Sequence, residues 1–415
     1  MKILVLGAGI AGVTTAYELA RAGHDVTVVD REAEPAAFTS YANAGLFAPG
    51  HSHAWSSPAA PMILLRSLWR NDQALRFRPN LDPAFWWWMW RFWNECSSEC
   101  AERNTARKVR LCMYSQSVFH ETVAATGVAY DGRRGGLLYF YRDPKAFEAA
   151  VARSRILSDN GCDVTALDRE GVVATDPALA HVSERIAGAI YGRGDESGDC
   201  RKFALGLAAW LQDKGVAFKF GSAVTGFETR GRRIEAVVTD RGPVSAEGYV
   251  LCLGVYSPHV ARQLGAKLPI YPVKGYSVTL PVGKGRTPPT IGGVDEESLV
   301  AYCPLGDRLR VTATAEFSGY GREHGPKDFR HMMKVVRELF PDGADYDQPD
   351  YWAGLRPMTP TGAPILGQGR HANLWFNTGL GHMGWTMSHG AARITADLIG
   401  GQTPAIGLDG MTVDS

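Results

Sequence analysis

Glycines at positions 7, 9 and 12 and an aspartate at 30 are the first residues whose types and spacing can do chemistry. In "KILVLGAGIAGVTTAYELARAGHDVTVVDRE" they follow the G-x-G-x-x-G order, with the acid at the distance a dinucleotide-binding fingerprint requires. Gly7 permits a tight turn, Gly9 lets backbone approach a pyrophosphate, and Gly12 lets a helix lie close on a strand. The helix N-terminus then faces the diphosphate, with Ile10 and Ala11 in its first turn. Asp30 suits the adenosine ribose hydroxyls, and Arg31 beside it is counted with the same site.

The elements that position these residues surround them. Ile3 to Leu6 is an apolar run of buried-strand type, Val13 to Ala22 is amphipathic at helical spacing, and Gly23 stops it. "DVTVVD" is a second strand ending in Asp30. Two later stretches bear on which dinucleotide binds. "SAEGYVLCLGVYSP" (245–258) has a buried strand, Tyr249 to Leu253, that ends in Gly254, where a flat ligand can approach closely. "NLWFNTGLGHMGWTMSHGAARITADLIG" (373–400) reads as strand, glycine-rich turn and helix. Its helix N-terminus can stabilise negative charge on a reduced isoalloxazine. Two glycine-rich approaches far apart in sequence suit an extended, buried FAD better than NAD.

Composition narrows the class. The chain has 415 residues, 45% hydrophobic and 21% charged, which favours two domains over one core. A net charge of +1 gives no long-range pull toward nucleic acid, so none is expected as a partner. Seven cysteines without a C-x-x-C pair read as reduced thiols, and His51-x-His53 is too little for a metal, so no metal is expected. The N-terminal apolar run continues into glycines and a helix, unlike a signal peptide. No run is long and apolar enough to span a bilayer. The expected location is cytoplasmic, with any contact to the inner membrane peripheral.

The sequence resembles the D-amino-acid oxidase-like flavoproteins, and among them the bacterial D-amino-acid dehydrogenases, over nearly its whole length. The resemblance rests on the N-terminal fingerprint, "TSYANAG" (39–45), "YPVKGYS" (271–277), "WAGLRPMTPTGAPILG" (352–367) and "NTGLGHMGWTMSHG" (377–390). It implies a non-covalent FAD and oxidation of a D-amino acid to its imino acid, which hydrolyses to a 2-oxo acid and ammonia. It also implies that hydride passes from Cα to flavin N5 and that the electrons go on to a quinone or another acceptor. Ser40, Asn43, Ala44 and Gly45 then correspond to the segment along the pyrophosphate and flavin. Val224 corresponds to the strand residue meeting the adenine, and Gly379, Gly381, His382, Met383 and Gly384 to the turn at the flavin's pyrimidine edge. Arg356 corresponds to the arginine that binds substrate carboxylate. The alternatives kept open are an oxygen-using oxidase of glycine, sarcosine or a related amine, and a D-proline or hydroxy-D-proline dehydrogenase.

This chemistry asks little acid–base equipment of the protein, because the cofactor supplies the redox step. What remains is a desolvated site that keeps the amine neutral and a clamp for the carboxylate, which the planar guanidinium fork suits. Arg356, with Pro357, Pro360 and Gly362 near it, reads as part of a rigid loop. In "IYPVKGYSVTL" alternation points Lys274 and Tyr276 to one face, where Tyr276 can donate to the carboxylate and Lys274 can lie near the flavin. A half-buried strand without either role fits equally. His382 reads as a pocket or structural turn histidine, and His51 and His53 as residues near the entrance.

The fold class expected is α/β, a discontinuous Rossmann-like FAD-binding domain with a second α+β substrate domain carrying an antiparallel sheet. The division places 1–79, 146–265 and 353–415 in the first and 80–145 and 266–352 in the second. "PLGDR" marks a hairpin turn and 327–340 a helix. "DPAFWWWMWRFWNEC" predicts a helix from about 83 to 107, with Phe85, Trp88, Met89 and Phe92 on one face and Trp86, Trp90 and Trp93 beside it. It is too short to span a bilayer. It either packs as core and pocket wall or sets tryptophans at a membrane interface where a quinone is met.

Overall fold

The apolar N-terminal run forms the strand Lys2–Leu6, central in a six-stranded sheet of the computed structural model, which describes residues 1–67, 75–78 and 81–413. The strand order is Ala217–Lys219, Asp25–Val29, Lys2–Leu6, Gly248–Leu251, Leu374–Thr378 and Ile365–Gln368. The first five run parallel and the last is antiparallel. Their near-continuous Val, Leu and Ile content follows from burial on both faces. The helices Ile10–Arg21, Cys200–Asp213 and Gly384–Ile399 cover one face. The helix Ser257–Gln263 and the antiparallel meander Val224–Arg230, Arg233–Thr239 and Gly242–Val244 cover the other.

A second, nine-stranded sheet is mostly antiparallel. Its order is Asp350–Met358, Tyr271–Pro281, Arg308–Phe317, Val300–Leu305, Gly292–Asp295, Leu137–Tyr141, Gly188–Gly192 and Val164–Leu167, with Leu75–Phe77 beside the end of Arg308–Phe317. The expected hairpin at 304–308 joins Val300–Leu305 to Arg308–Phe317. The helix Arg330–Leu339 packs on one face of this sheet. Gly275, Thr312 and Thr314 of this sheet line the cavity described below.

Sheet pairing departs from the expected division of the chain. Val164–Leu167 and Gly188–Gly192, placed with the nucleotide-binding part, pair in the nine-stranded sheet, where each lies antiparallel to its neighbour. Asp350–Met358 straddles the expected boundary at 353, and the boundary between 79 and 80 lies outside the described residues. We propose a division by sheet membership, with about 137–192 and the whole of 350–358 joined to the second domain. Alternation alone could not assign them, because it shows that a strand pairs but not with which sheet.

The aromatic stretch also departs in one respect. The helix ends at Asn94 and a second begins at Ser98 and runs to Thr126. The break is chemical: the Ser97 hydroxyl accepts from the Cys100 N–H at 3.2 Å, capping a new helix. Asp82 caps the first in the same way, with Pro83 behind it. Phe85, Trp88, Met89 and Phe92 are buried against Tyr271, Val273, Phe317 and Met358, and the Trp88 indole N–H donates to the Met358 carbonyl at 2.8 Å. Trp86, Trp90 and Trp93 are 49%, 64% and 59% exposed, so the two faces have different fates.

Candidate active site

A cavity of about 930 Å³ runs from the C-terminal ends of the parallel strands to the face of the nine-stranded sheet. This crevice is where open α/β sheets bind ligands. At one end it is lined by Gly7, Gly9, Ile10, Ala11, Asp30 and Arg31, joined by Val224 and Gly254. Ser40, Asn43 and Ala44 follow, then Gly379, Gly381, His382, Met383 and Gly384, and finally Arg356. Residues predicted from widely separated stretches therefore converge on one space.

The nucleotide end is built from backbone. Gly7 has φ of 108°, a conformation that L side chains rarely adopt, and its N–H donates to Val29 O at 2.8 Å. Gly12 does not line the cavity; a Cβ there would overlap the Gly7 carbonyl oxygen, so glycine lets the helix lie on the strand. Among the described residues no side chain caps the helix Ile10–Arg21 at Gly9, and in its first turn the Ile10 N–H donates to the Ser40 hydroxyl at 3.1 Å. Asp30 accepts from Ala8 N–H at 2.5 Å and Glu32 N–H at 2.8 Å, while burial raises its pKa. The Arg31 guanidinium lies 4.1 Å over the Tyr256 ring. Gly45 is turned out of the cavity and packs on Cys303, whose thiol also lies outside the cavity and is pushed up to about 12 by burial.

The chain passes a test of fit for an extended dinucleotide with a flat ring system. Asn377 Oδ1, His382 Nε2 and Trp385 Nε1 are buried polar atoms without a partner among the described residues, and all three side chains belong to residues lining the cavity. Buried polar atoms in native structures are satisfied, and a polar heterocycle supplies what these lack. The helix Gly384–Ile399 likewise begins without a side-chain cap, directed at the same space.

At the far end Arg356 is on a strand, Asp350–Met358, rather than in the expected loop. Its Nη1 donates to the Thr314 carbonyl at 2.9 Å, and it meets no carboxylate among the described residues. Burial alone lowers its pKa to about 10. Its guanidinium lies over Gly275, where a Cβ would come within 2.5 Å of Cζ. Thr314 has φ of 69°, strained for a β-branched residue, at an irregularity in pairing between Tyr271–Pro281 and Arg308–Phe317. The strained turn presents its carbonyl to Arg356.

The structure gives Tyr276 and Lys274 a partner within the protein. The Tyr276 hydroxyl donates to Glu316 Oε2 at 2.8 Å, and Lys274 Nζ lies 3.5 Å from Glu316 Oε1. Burial raises the Glu316 carboxyl, but these two partners, together with Ser318 and Arg78, outweigh it and hold the group below its ordinary range. Both side chains meet a buried carboxylate; Tyr276 also lines the cavity, and Lys274 does not. The shared face was read correctly; it is the face turned to the helix Arg330–Leu339, where Tyr276 packs.

His382 stacks on Trp55 with centroids 4.6 Å apart. Burial, then the charges of Lys108, His51 and Arg356, hold it well below the ordinary imidazole value. His51 lines the cavity and pairs with Glu296 at 2.7 Å, whereas His53 does not line it and gives its carbonyl to Lys108 Nζ at 2.8 Å. Trp55, Thr314, Glu296 and Arg153 were not read from sequence as site residues. No local spacing marks them; His51 and Glu296 are 245 positions apart and become partners only through the fold. Among the described residues no helix is long and apolar enough to cross a membrane.

Comparison with known proteins agrees with this geometry. The sequence pattern of the FAD dependent oxidoreductase (DAO) family matches residues 2–398. The chain is 43% identical over 412 residues to D-amino acid dehydrogenase 2 of Mesorhizobium japonicum, covering 99% of each. It is 44% identical over 415 residues to the D-amino acid dehydrogenase of Paramagnetospirillum magneticum, covering 100% of this chain and 98% of the other. In fold it resembles glycine oxidase from Geobacillus kaustophilus, with a TM-score of 0.75 at 20% identity over 99% and 98% of the two chains. L-proline dehydrogenase from P. horikoshii gives a TM-score of 0.72 at 17% identity over 97% and 94%. With its dinucleotide crevice, its two sheets and its match over almost the full length, the chain belongs to the FAD dependent oxidoreductase (DAO) family.

Proposed function

We propose that this protein is an FAD-dependent dehydrogenase of D-amino acids, forming a 2-oxo acid and ammonia by way of the imino acid. The observation that carries the reading is Arg356, a half-buried guanidinium in the cavity with no protein carboxylate to satisfy it among the described residues. Such a group is prepared for a carboxylate ligand, which it holds by two parallel hydrogen bonds. The names of relatives above 40% identity support the D-amino acid as substrate.

Non-covalent FAD, when bound, accepts the two electrons released as the amino acid becomes its imine. Gly7, Gly9, Ile10, Ala11, Asp30, Arg31 and Val224 hold its nucleotide half. Ser40, Asn43, Ala44, Gly254 and Gly379–Gly384 take the remainder, with Gly12 and Gly45 acting through packing. Arg356 orients the substrate, and the shared positive field of Arg356, Lys108 and His51 disfavours a protonated amine. His382, held neutral by burial and the neighbouring cations, lines the same space without carrying a proton.

The electrons pass to an apolar acceptor of quinone type at a membrane surface. Of the ten large hydrophobic side chains exposed among the described residues, seven lie between Met62 and Trp93, which makes one region the exception on the surface. Trp86, Trp90 and Trp93 recur at helical spacing, and the exposed Ile63 also lines the cavity. Tryptophan rings favour a membrane interface.

The test is the visible spectrum of the purified protein, recorded anaerobically before and after D- or L-amino acids. Bleaching by D-isomers alone, with reoxidation by a quinone faster than by air, is the expected result. Bleaching only by glycine or N-methyl amines with rapid peroxide formation would instead identify an amine oxidase. Co-flotation with anionic liposomes, reduced in a W86S/W90S/W93S variant, tests the membrane contact; equal flotation of both proteins refutes it.

A further inference from the structure

Past Arg356 and His382 the cavity has a polar end that the carboxylate clamp does not use. His51, Glu296 and Arg153 line the cavity, as do Ala48, Val294 and Ala301. His51 is fixed from three sides. Its Nε2 meets Glu296 Oε1 at 2.7 Å, and its ring stacks on Tyr139 with centroids 4.8 Å apart. Tyr139 donates to Asp195 Oδ2 at 2.5 Å, and the other Asp195 oxygen accepts from Gly50 N–H at 2.8 Å, tethering the turn that carries His51. This is a built polar wall.

The charge on that wall is unbalanced. Glu296 is matched by His51, and Asp195 stands behind Tyr139 rather than in the cavity lining. Arg153 lies close enough to influence Glu296 but makes no ion pair among the described residues. Lys108 is fully buried and, like Asp195, stands outside the cavity lining; its one side-chain hydrogen bond among the described residues goes to the His53 carbonyl, and its charge is felt by both His53 and His382. The end of the cavity therefore carries more positive than negative charge, and its small apolar residues leave room for a short methylene chain.

Resting on the D-amino-acid reading, we propose that this polar end is the side-chain subsite. It selects D-amino acids bearing a second carboxylate, with Arg153 as the specificity-determining residue and His51 as the inner donor. With the first carboxylate on Arg356, a side chain of two or three carbons carries the second toward His51 and Arg153. A basic side chain meets the same cations and is disfavoured. Arg153 is on the exposed face of the helix Pro144–Asp159, so its replacement leaves the core intact.

The experiment measures kcat/KM for D-glutamate, D-glutamine and D-lysine with the holoenzyme and its R153Q and R153E variants. Calorimetric titration with glutarate and butyrate, which cannot be oxidised, accompanies it. The wild type should favour D-glutamate over D-lysine by at least about tenfold, and the D-glutamate to D-glutamine ratio should fall about tenfold in R153Q. R153E should shift preference toward D-lysine, and glutarate should lose its advantage over butyrate in both variants. A wild type that prefers D-lysine, or an R153Q variant with unaltered D-glutamate to D-glutamine and glutarate to butyrate ratios, overturns the subsite. If no D-amino acid bleaches the flavin, the activity reading fails, while the glutarate ratio still decides whether the polar end binds a second carboxylate.

Discussion

Gly275→Ala is the most discriminating perturbation of the clamp, because it leaves Arg356 in the chain and removes only the space it occupies. A Cβ at 275 would lie 2.5 Å from Cζ and Nη2 and 2.6 Å from Nη1 of Arg356. These distances are well inside van der Waals contact, so the guanidinium must leave its place. The obstruction is the far end of a flexible side chain, and Gly275 pairs regularly with Gly354 in the middle of a strand. The backbone can therefore stay where it is. Two charge-assisted hydrogen bonds to a carboxylate contribute about 3 kcal/mol together, so their loss weakens substrate binding about 150-fold. The loss falls on binding common to ground and transition states and appears chiefly as a raised KM. The assay is anaerobic flavin reduction under varied D-amino acid concentration, with thermal unfolding recorded alongside. The expected outcome is a hundredfold-scale rise in KM with the cofactor retained and the melting temperature lowered by only a few degrees. A KM within about threefold of wild type would refute the clamp, because the guanidinium cannot remain in place beside the new methyl group.

Gly12→Ala should prevent cofactor retention, since the added carbon overlaps the Gly7 carbonyl and drives the first helix off its strand; a yellow, normally stable variant would contradict this. Tyr276→Phe should cost about 1–3 kcal/mol of stability, through the buried Glu316 left with one donor fewer, and shift kcat/KM by less than about threefold. A selective hundredfold loss of activity would return Tyr276 to the substrate. Asp195→Asn should stabilise the protein at pH 8 relative to pH 5. Burial raises the Asp195 pKa from 3.8 to about 7, so between those values the folded state holds a proton that the unfolded state has released, and wild-type stability falls as pH rises. The difference of about three units corresponds to at most about 4 kcal/mol, and melting curves at both pH values should show the gap between variant and wild type widening upward. An equal gap at the two pH values would contradict the assignment.

The nucleotide half was legible in sequence because its requirements are local. Gly7 and Gly12 each answer a backbone constraint set within a few residues, and the strands around them are continuous apolar runs that only a doubly covered sheet explains. The second helix start after Gly381 was legible for the same reason. The far half is made by pairing across distance. Arg356 was found through a motif, but its strand was read as a loop because the prolines beside it outweighed its pairing with Val273, which only the fold reveals. Lys274 and Tyr276 were correctly placed on one face, yet period-two alternation is blind to which face looks at the ligand. Only Glu316, reached from a neighbouring strand, decides it.

The same reasoning explains why Thr314 had no sequence signal although it shapes the site. A positive φ is read from glycine or asparagine, and here a threonine adopts it, at a cost of about 1–2 kcal/mol that the surrounding sheet must offset. The turn is kept because the extra residue it accommodates aims the Thr314 carbonyl at Arg356 Nη1, and that bond holds the guanidinium over Gly275. Thr314→Gly should therefore separate stability from function. Glycine takes the same φ without strain, so the variant should be as stable as wild type or more so, while the looser turn lets the carbonyl wander and KM rises several-fold. Thr314→Pro cannot adopt the positive φ at all and should lose both. A Thr314→Gly variant with unchanged KM would show that the Arg356 position is fixed by Gly275 and the strand alone, and that the strained turn has no part in holding the clamp.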